Sequence, residues 1–390
     1  MRLHYNYKDL FLAPKLALSG KKIFFFSLSN FVSFLLYWFI TNISLSISGI
    51  NFSESFKLHG LYPHLIGYEL NNFSYIIYFI GLILAYLFFN IGSMIISKMT
   101  IEELRNNNPL SFAESIYYAT KNFSKIISTP LIISLIIMFF LSISMFFIYM
   151  SNISFLGKIL FPFFYFISFL TIIFVIYSVF VFFNSLHLSS TIIGTQEEDS
   201  IGTIYQIYSI TWGGTFKLFF YYIILLPIAI ISVSILSWIL NSSYSVLNYF
   251  VSSDFISNQS LVNIFYFAGN LINLEMLFRP ELHDIISTAI QDFSSTYNNI
   301  LYYSYTFLSL ILKLLLYNIP NVPIIDINVI NLGTVEVISG YILAFILFII
   351  MLTVISYASC IFSVGNTLIN VIFKYRFEDY DLTINDNDPK

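Results

Sequence analysis

Charged residues are sparse along this 390-residue chain, and the gaps between them are long. Uncharged windows run over 23–53, 70–97, 126–157, 159–196, 218–253 and 337–373. A charge at the bilayer centre costs about 2.5–3.5 kcal/mol on insertion scales, so charges mark the watery segments. Each window exceeds the ~20 residues that a spanning helix needs. The pattern predicts six spans, at about 23–48, 74–97, 130–150, 160–186, 217–240 and 337–370. The fourth and sixth windows outrun one bilayer, so those helices tilt or project. A further apolar stretch, Ile300–Asn318, is interrupted by Lys313 and reads as an interfacial helix.

Between the second and third spans the pattern changes period. Ser111-x-x-Glu114 has the form of a capping box, with serine and glutamate each meeting the other's backbone amide. Pro109 halts any earlier helix. Phe112, Ile116, Ala119, Phe123 and Ile126 then recur at steps of four and three, which builds one apolar stripe. Glu114, Lys121, Asn122 and Lys125 fall off it. If the stripe lies on the bundle, aspartate at Ile116 and Phe123 releases the segment to protease.

The segment opens on Thr100-Ile101-Glu102-Glu103, and the same form returns at Thr195-Gln196-Glu197-Glu198. After the second copy, Asp199 or Ser200 caps a helix whose stripe is Ile201, Ile204, Tyr208 and Trp212. Gly213-Gly214 is expected to end it in the left-handed conformation. Span, Thr-x-Glu-Glu, amphipathic helix and span thus occur twice, an expected internal repeat. Phe112, Ile116, Phe123, Ile201, Tyr208 and Trp212 are the candidate partner or lipid surface.

These elements order the chain as follows. Residues 1–22 form an amphipathic N-terminus, with basic residues beside Leu and Phe. Residues 23–240 form a five-span bundle with inner amphipathic helices at about 100–129 and 195–216. Residues 241–336 form an outer helical cap, 337–373 the last span and 374–390 an acidic inner tail. In the cap, Leu261, Phe265, Ala268, Ile272 and Met276 predict one amphipathic helix, and Ile285, Ala289 and Phe293 a second. Asn-Ile-Pro-Asn-Val-Pro at 318–323 forces an extended passage. The expected fold is an all-α polytopic transmembrane bundle of six spans, with inner-side amphipathic helices and an outer helical cap.

Composition agrees with lipid as the solvent. The chain is 58% hydrophobic and 10% charged, with mean hydropathy +0.82, where soluble domains carry about 25% charged residues. A net charge of -4 excludes a strongly basic nucleic-acid binder. The single Cys360 excludes an internal disulfide. With six spans and both termini inside, 13 Lys and Arg lie inside and 4 outside, the positive-inside asymmetry. Both termini are therefore expected on the cytoplasmic side, with the first span as a retained signal anchor.

The phrases APKLALSGKK, NPLSFAESIYYATKNFSKIISTPL, TQEEDSIGTIYQIYSITWGGTFKLFFYY and FKYRFEDYDL resemble a family of bacterial multi-pass inner-membrane proteins of unassigned function. More distantly, the chain is similar to membrane domains with repeated inner-side helices, such as that beside some glycerophosphodiester phosphodiesterases. The resemblance implies a bacterial inner-membrane protein and transfers no functional residues; no phosphodiesterase catalytic segment is recognised in the sequence.

Candidate chemistry is thin. No nucleophile elbow, zinc-protease helix, P-loop or dinucleotide fingerprint occurs. His187, Asn90, Asn184, Asn366 and Asn370 sit toward inner span ends, where helix-to-helix hydrogen bonding is expected. Pro162 and Pro227 are expected to kink their spans. Two loop groups carry His and carboxylates: His59 and His64 with Glu54 and Glu69, and Glu275, Glu281, His283 and Asp284. Their spacing matches no metal cage, so no cofactor is expected. The leading expectation is a non-enzymatic accessory or scaffold protein. Its partners are the lipid bilayer and other membrane proteins or a second copy of the chain. The alternatives are a transporter or channel for a small uncharged or hydrophobic solute, and a membrane enzyme with an unrecognised site. A reporter fused after Phe373 is expected to score as cytoplasmic; a periplasmic signal there would remove the even number of crossings.

Overall fold

A computed structural model describes residues 3–63, 65, 71–105, 110–151, 154–252, 259–272 and 332–384. Among them the structure is helical, with no strand. A 3-10 turn at Tyr7–Leu12 leads into α1 (Ala13–Ala17), α2 (Gly20–Ile47), α3 (Phe52–His59) and α4 (Asn72–Leu104). Then come α5 (Phe112–Met150), α6 (Ser154–Gln196), α7 (Ser200–Ser252), α8 (Gln259–Ile272) and α9 (Thr334–Glu378). Six of these, α2, α4, α5, α6, α7 and α9, are long and apolar enough to cross a membrane. The fold is an all-α polytopic bundle. Most of the expected cap, with Ile300–Asn318, lies outside the described residues; its first helix is α8.

All the long apolar helices but α2 outrun their uncharged windows. α5 starts at the expected capping box: Glu114 N–H donates to Ser111 Oγ at 3.3 Å, and Ser111 N–H donates to Glu114 Oε2 at 2.7 Å. It continues unbroken through Pro130, so amphipathic segment and span are one helix. α7 contains the expected break at Gly214, by a different device. Gly214 has φ -144° and ψ 18°, outside the left-handed region, and the helix resumes beyond it. Glycine is needed there because a Cβ would fall 2.2 Å from Cε1 of Phe373.

The chain divides into two compact units. One comprises Met1–Phe25, Phe89–Leu226 and Ser359–Lys390; the other comprises Phe26–Phe88 and Pro227–Ala358. The second has an aromatic core: Tyr62, Tyr244, Phe267, Leu271, Phe348 and Met351 are buried together. Polar ties cross its helices, with Asn30 Nδ2 donating to Ser356 Oγ at 3.0 Å and Ser44 Oγ to the Ser74 carbonyl at 2.7 Å.

The first unit has a polar interior. Ser190 of α6 and Ser363 of α9 both donate to Ser93 Oγ of α4, at 3.2 and 2.9 Å. Asn370 Nδ2 donates to Thr195 Oγ1 at 2.8 Å. At Gly194 a Cβ would meet the Met94 carbonyl oxygen at 2.6 Å, so the backbones of α6 and α4 approach closely. Lipid is as apolar as leucine, so helices in it associate through small residues and side-chain hydrogen bonds.

The same rule turns the α5 stripe outwards. Ser115, Ala119, Asn122, Ile126, Thr129 and Ile133 form the buried row. Phe112, Ile116 and Phe123 are exposed. Of the expected stripe only Ala119 and Ile126 are buried, and Asn122, expected on the wet face, is buried with its Nδ2 donating to the Tyr118 carbonyl. The small and polar row makes the contact because it admits close approach; bulky side chains are left for lipid. Ile126→Ala is therefore expected to cost about 2 kcal/mol, the low end for a buried aliphatic truncation, while Ile116→Ala stays within about 0.5 kcal/mol. Thermal melting of the purified protein in detergent measures both; equal losses would contradict this orientation.

Candidate functional site

Both Thr-x-Glu-Glu segments end a span helix in the first unit, and both threonines bond back to their own helix. Thr100 Oγ1 donates to the Ile96 carbonyl at 2.7 Å and Thr195 Oγ1 to the Thr191 carbonyl at 2.9 Å. Their glutamates meet one cation. Lys98 Nζ lies 2.7 Å from Glu102 Oε1 and 2.7 Å from Glu197 Oε1. The first contact is one helical turn, i to i+4; the second joins the two segments. The ammonium also sits 5.6 Å from the centre of the Tyr118 ring, a cation–π distance.

The network spreads from there. Lys22 Nζ pairs with Glu103 Oε2 at 2.7 Å and donates to the Leu16 carbonyl at 2.9 Å. Arg105 lies 3.7 Å from Glu102 and donates through Nε to the Leu382 carbonyl at 2.9 Å. Gln206 Nε2 donates to Gln196 Oε1 at 2.6 Å and to Glu198 Oε1 at 3.2 Å, which ties α7 to the second segment. Three cations, Lys22, Lys98 and Arg105, thus meet three carboxylates, Glu102, Glu103 and Glu197. Lys98 and Glu102 are nearly buried, and pairing is what makes their burial tolerable.

Glu197 has φ 57°, in the left-handed region where a side-chain-bearing residue is strained. Its N–H donates to the Ile193 carbonyl at 3.1 Å, closing the end of α6. The strained turn presents Glu197 to Lys98, and the ammonium's hydrogen bond holds the carboxyl below the usual carboxylate range.

The chain termini close the same unit. Tyr5 OH donates to Asp381 Oδ2 at 2.5 Å, its ring stacks on Tyr375 at 3.9 Å, and Arg376 Nε donates to its carbonyl at 2.7 Å. Burial, with Asp381 beside it, pushes the Tyr5 phenol up to about 12.

The six candidate surface residues divide into two sets. Phe112 stacks on Phe25 at 5.2 Å, with Ile116 and Phe123 outward on the same helix. On α7, Tyr208 is half-buried: it accepts at its carbonyl from Tyr177 and donates through its hydroxyl to Ser178. Trp212 meets the edge of Tyr177 at 5.5 Å, and both Trp212 and Ile201 are largely exposed. Two further exposed residues, Tyr205 and Phe216, extend the α7 set; nothing in the stripe periodicity singled them out. The ion-paired hub was also missed, although Lys98 and Glu102 at i and i+4 signal one pair within it.

Of the loop groups, His64, Glu69, Glu275, Glu281, His283 and Asp284 lie outside the described residues. Among the described residues no group of three His, Cys, Asp or Glu side chains is placed to hold a metal ion. Comparison with family models, curated proteins and solved structures gives no match.

Breaking the hub has a defined cost. Lys98→Met leaves Glu102 and Glu197 without their shared ammonium and is expected to destabilise by about 3 kcal/mol, as for one half of a buried pair. A depressed carboxyl contributes stability above its unfolded pKa and loses it as pH falls through the lowered value. Glu197→Gln is therefore expected to flatten part of the acid limb of a melting-temperature profile; an unchanged acid limb would show that the Lys98 contact contributes nothing.

Proposed function

We propose that this chain is a non-enzymatic accessory or scaffold protein of the bacterial inner membrane, with both termini cytoplasmic. The excess of Lys and Arg on the loops assigned inside supports that orientation. The two Thr-x-Glu-Glu units are read as an internal repeat whose amphipathic segments lie at the cytoplasmic surface.

One observation carries the accessory role. Ile201, Tyr205 and Trp212 recur on one face of α7 before the break at Gly214 and Phe216 follows it; they are 72%, 74%, 81% and 91% exposed. The ionised groups of the hub meanwhile hold the chain's own segments together. The unit thus commits the charges of its hub internally and offers bulky apolar side chains externally, the arrangement of a docking element for other membrane components.

Buried oxygens without partners favour a second reading, transport of a small uncharged solute. Ser97 Oγ, Asn366 Oδ1 and Asn370 Oδ1 are buried in the first unit without hydrogen-bond partners.

Photo-crosslinking amino acids at Tyr205 and Trp212 in intact cells are expected to trap a discrete membrane protein, while one at buried Ile207 traps none. Lipid adducts alone at the exposed positions would count against the scaffold. Solute flux through reconstituted vesicles would favour the transporter.

A further inference from the structure

The last turns of α9, the start of the α7 span and the N-terminal segment enclose an open groove of about 300 Å³ within the first unit. Two cations line it, Lys217 and Arg376, with Phe216, Phe220, Tyr221 and Tyr7. We propose that this groove binds one anionic diacyl phospholipid, its phosphate between Lys217 and Arg376 and its acyl chain along Phe216 and Phe220.

Lys217 and Arg376, the two cations of the groove, have no carboxylate in direct contact among the described residues. Two acids close by in the same unit are occupied elsewhere. The Asp9 carboxylate accepts from the amides of His4 and Asn6, at 3.0 and 3.2 Å, and Glu378 pairs with Lys374 at 2.5 Å. Both cations are also held in place. Arg376 is anchored by its Nε bond to the Tyr5 carbonyl, a use of one of its five N–H donors. Lys217 Nζ lies 4.8 Å from the centre of the Phe377 ring. An arginine and a lysine fixed on one groove match a phosphodiester: the guanidinium recognises the planar pair of oxygens and the ammonium supplies point charge.

The walls select a lipid rather than a free anion. Phe216 is 91% and Phe220 50% exposed, on a helix apolar enough to cross a membrane. Phe216 and Phe220 flank Lys217 on α7 and line the same groove as the two cations, so a ligand that is part anionic and part apolar satisfies both. Inorganic phosphate would leave the apolar wall unused. The inference needs only the membrane character of the six helices, and it stands or falls apart from the accessory role.

The test uses the full chain in neutral detergent, with native mass spectrometry and thermal shift as readouts. Dioleoyl-phosphatidylglycerol, dioleoyl-phosphatidylcholine and inorganic phosphate are titrated separately. Phosphatidylglycerol is expected to bind at least about fivefold tighter than phosphatidylcholine, the discrimination of one basic side chain near an anionic surface. Lys217→Gln, which removes an exposed side chain, is expected to lose about fivefold of that preference, and Lys217→Gln with Arg376→Gln to lose all of it. Lys21→Gln with Lys121→Gln removes the same charge from exposed positions that do not line the groove and is expected to keep the preference. An equal loss in this control would make the effect diffuse surface charge and overturn the site. So would equal affinity for the two lipids, or competition by inorganic phosphate at the lipid's own concentration.

Discussion

Lipid removes the hydrophobic reason for one helix to touch another, and the interior of the first unit follows from that constraint. What remains to hold helices together is close approach and polar pairing. The serines at 93, 190 and 363 meet at one point, and Gly194 lets the backbone of α6 reach that of α4. Many large side chains, among them Met138, Phe163 and Phe216, are exposed instead. A soluble protein arranges these classes the other way round.

The ion-paired hub extends the same logic to the helix ends. A charge this close to hydrocarbon is costly alone and tolerable when paired. Lys98 is shared between an intrahelical and an interhelical carboxylate, so it joins the last turns of α4 to the turn that follows α6. The left-handed turn at Glu197 is part of this arrangement: local strain is accepted where a strong contact compensates it. With Lys22 and Arg105 the hub gathers the N-terminal segment, two span ends and the C-terminal tail into one unit. Charges outside the hub, at Lys217 and Arg376, line a groove in the same unit, and a phosphate-bearing lipid is the ligand whose chemistry matches it.

Much of this was legible along the chain. Six uncharged windows correspond to six long apolar helices, because the cost of charge in a bilayer is large and local. The capping box at Ser111 and Glu114 forms as its spacing predicts, since it needs only four consecutive residues. The facing of α5 was not legible. Phe112, Ile116 and Phe123 obey the period of a core-facing stripe, yet the row one step away, through Ser115, Ala119 and Asn122, makes the contact. Periodicity locates a stripe but does not say whether its apolar side meets protein or lipid. Gly214 shows a similar limit: the break is visible from the glycine pair, whereas the Phe373 ring that a side chain there would strike lies more than 150 residues away in sequence.

The chain by itself determined its solvent, its number of long apolar helices and the capped start of α5, because each depends on transfer costs and bonds that act within one turn or one window. Tertiary structure decided which face of each helix is inside, which carboxylate shares Lys98, and that Lys217 and Arg376 line one groove. Those outcomes depend on distances between residues far apart in sequence, which no local period encodes.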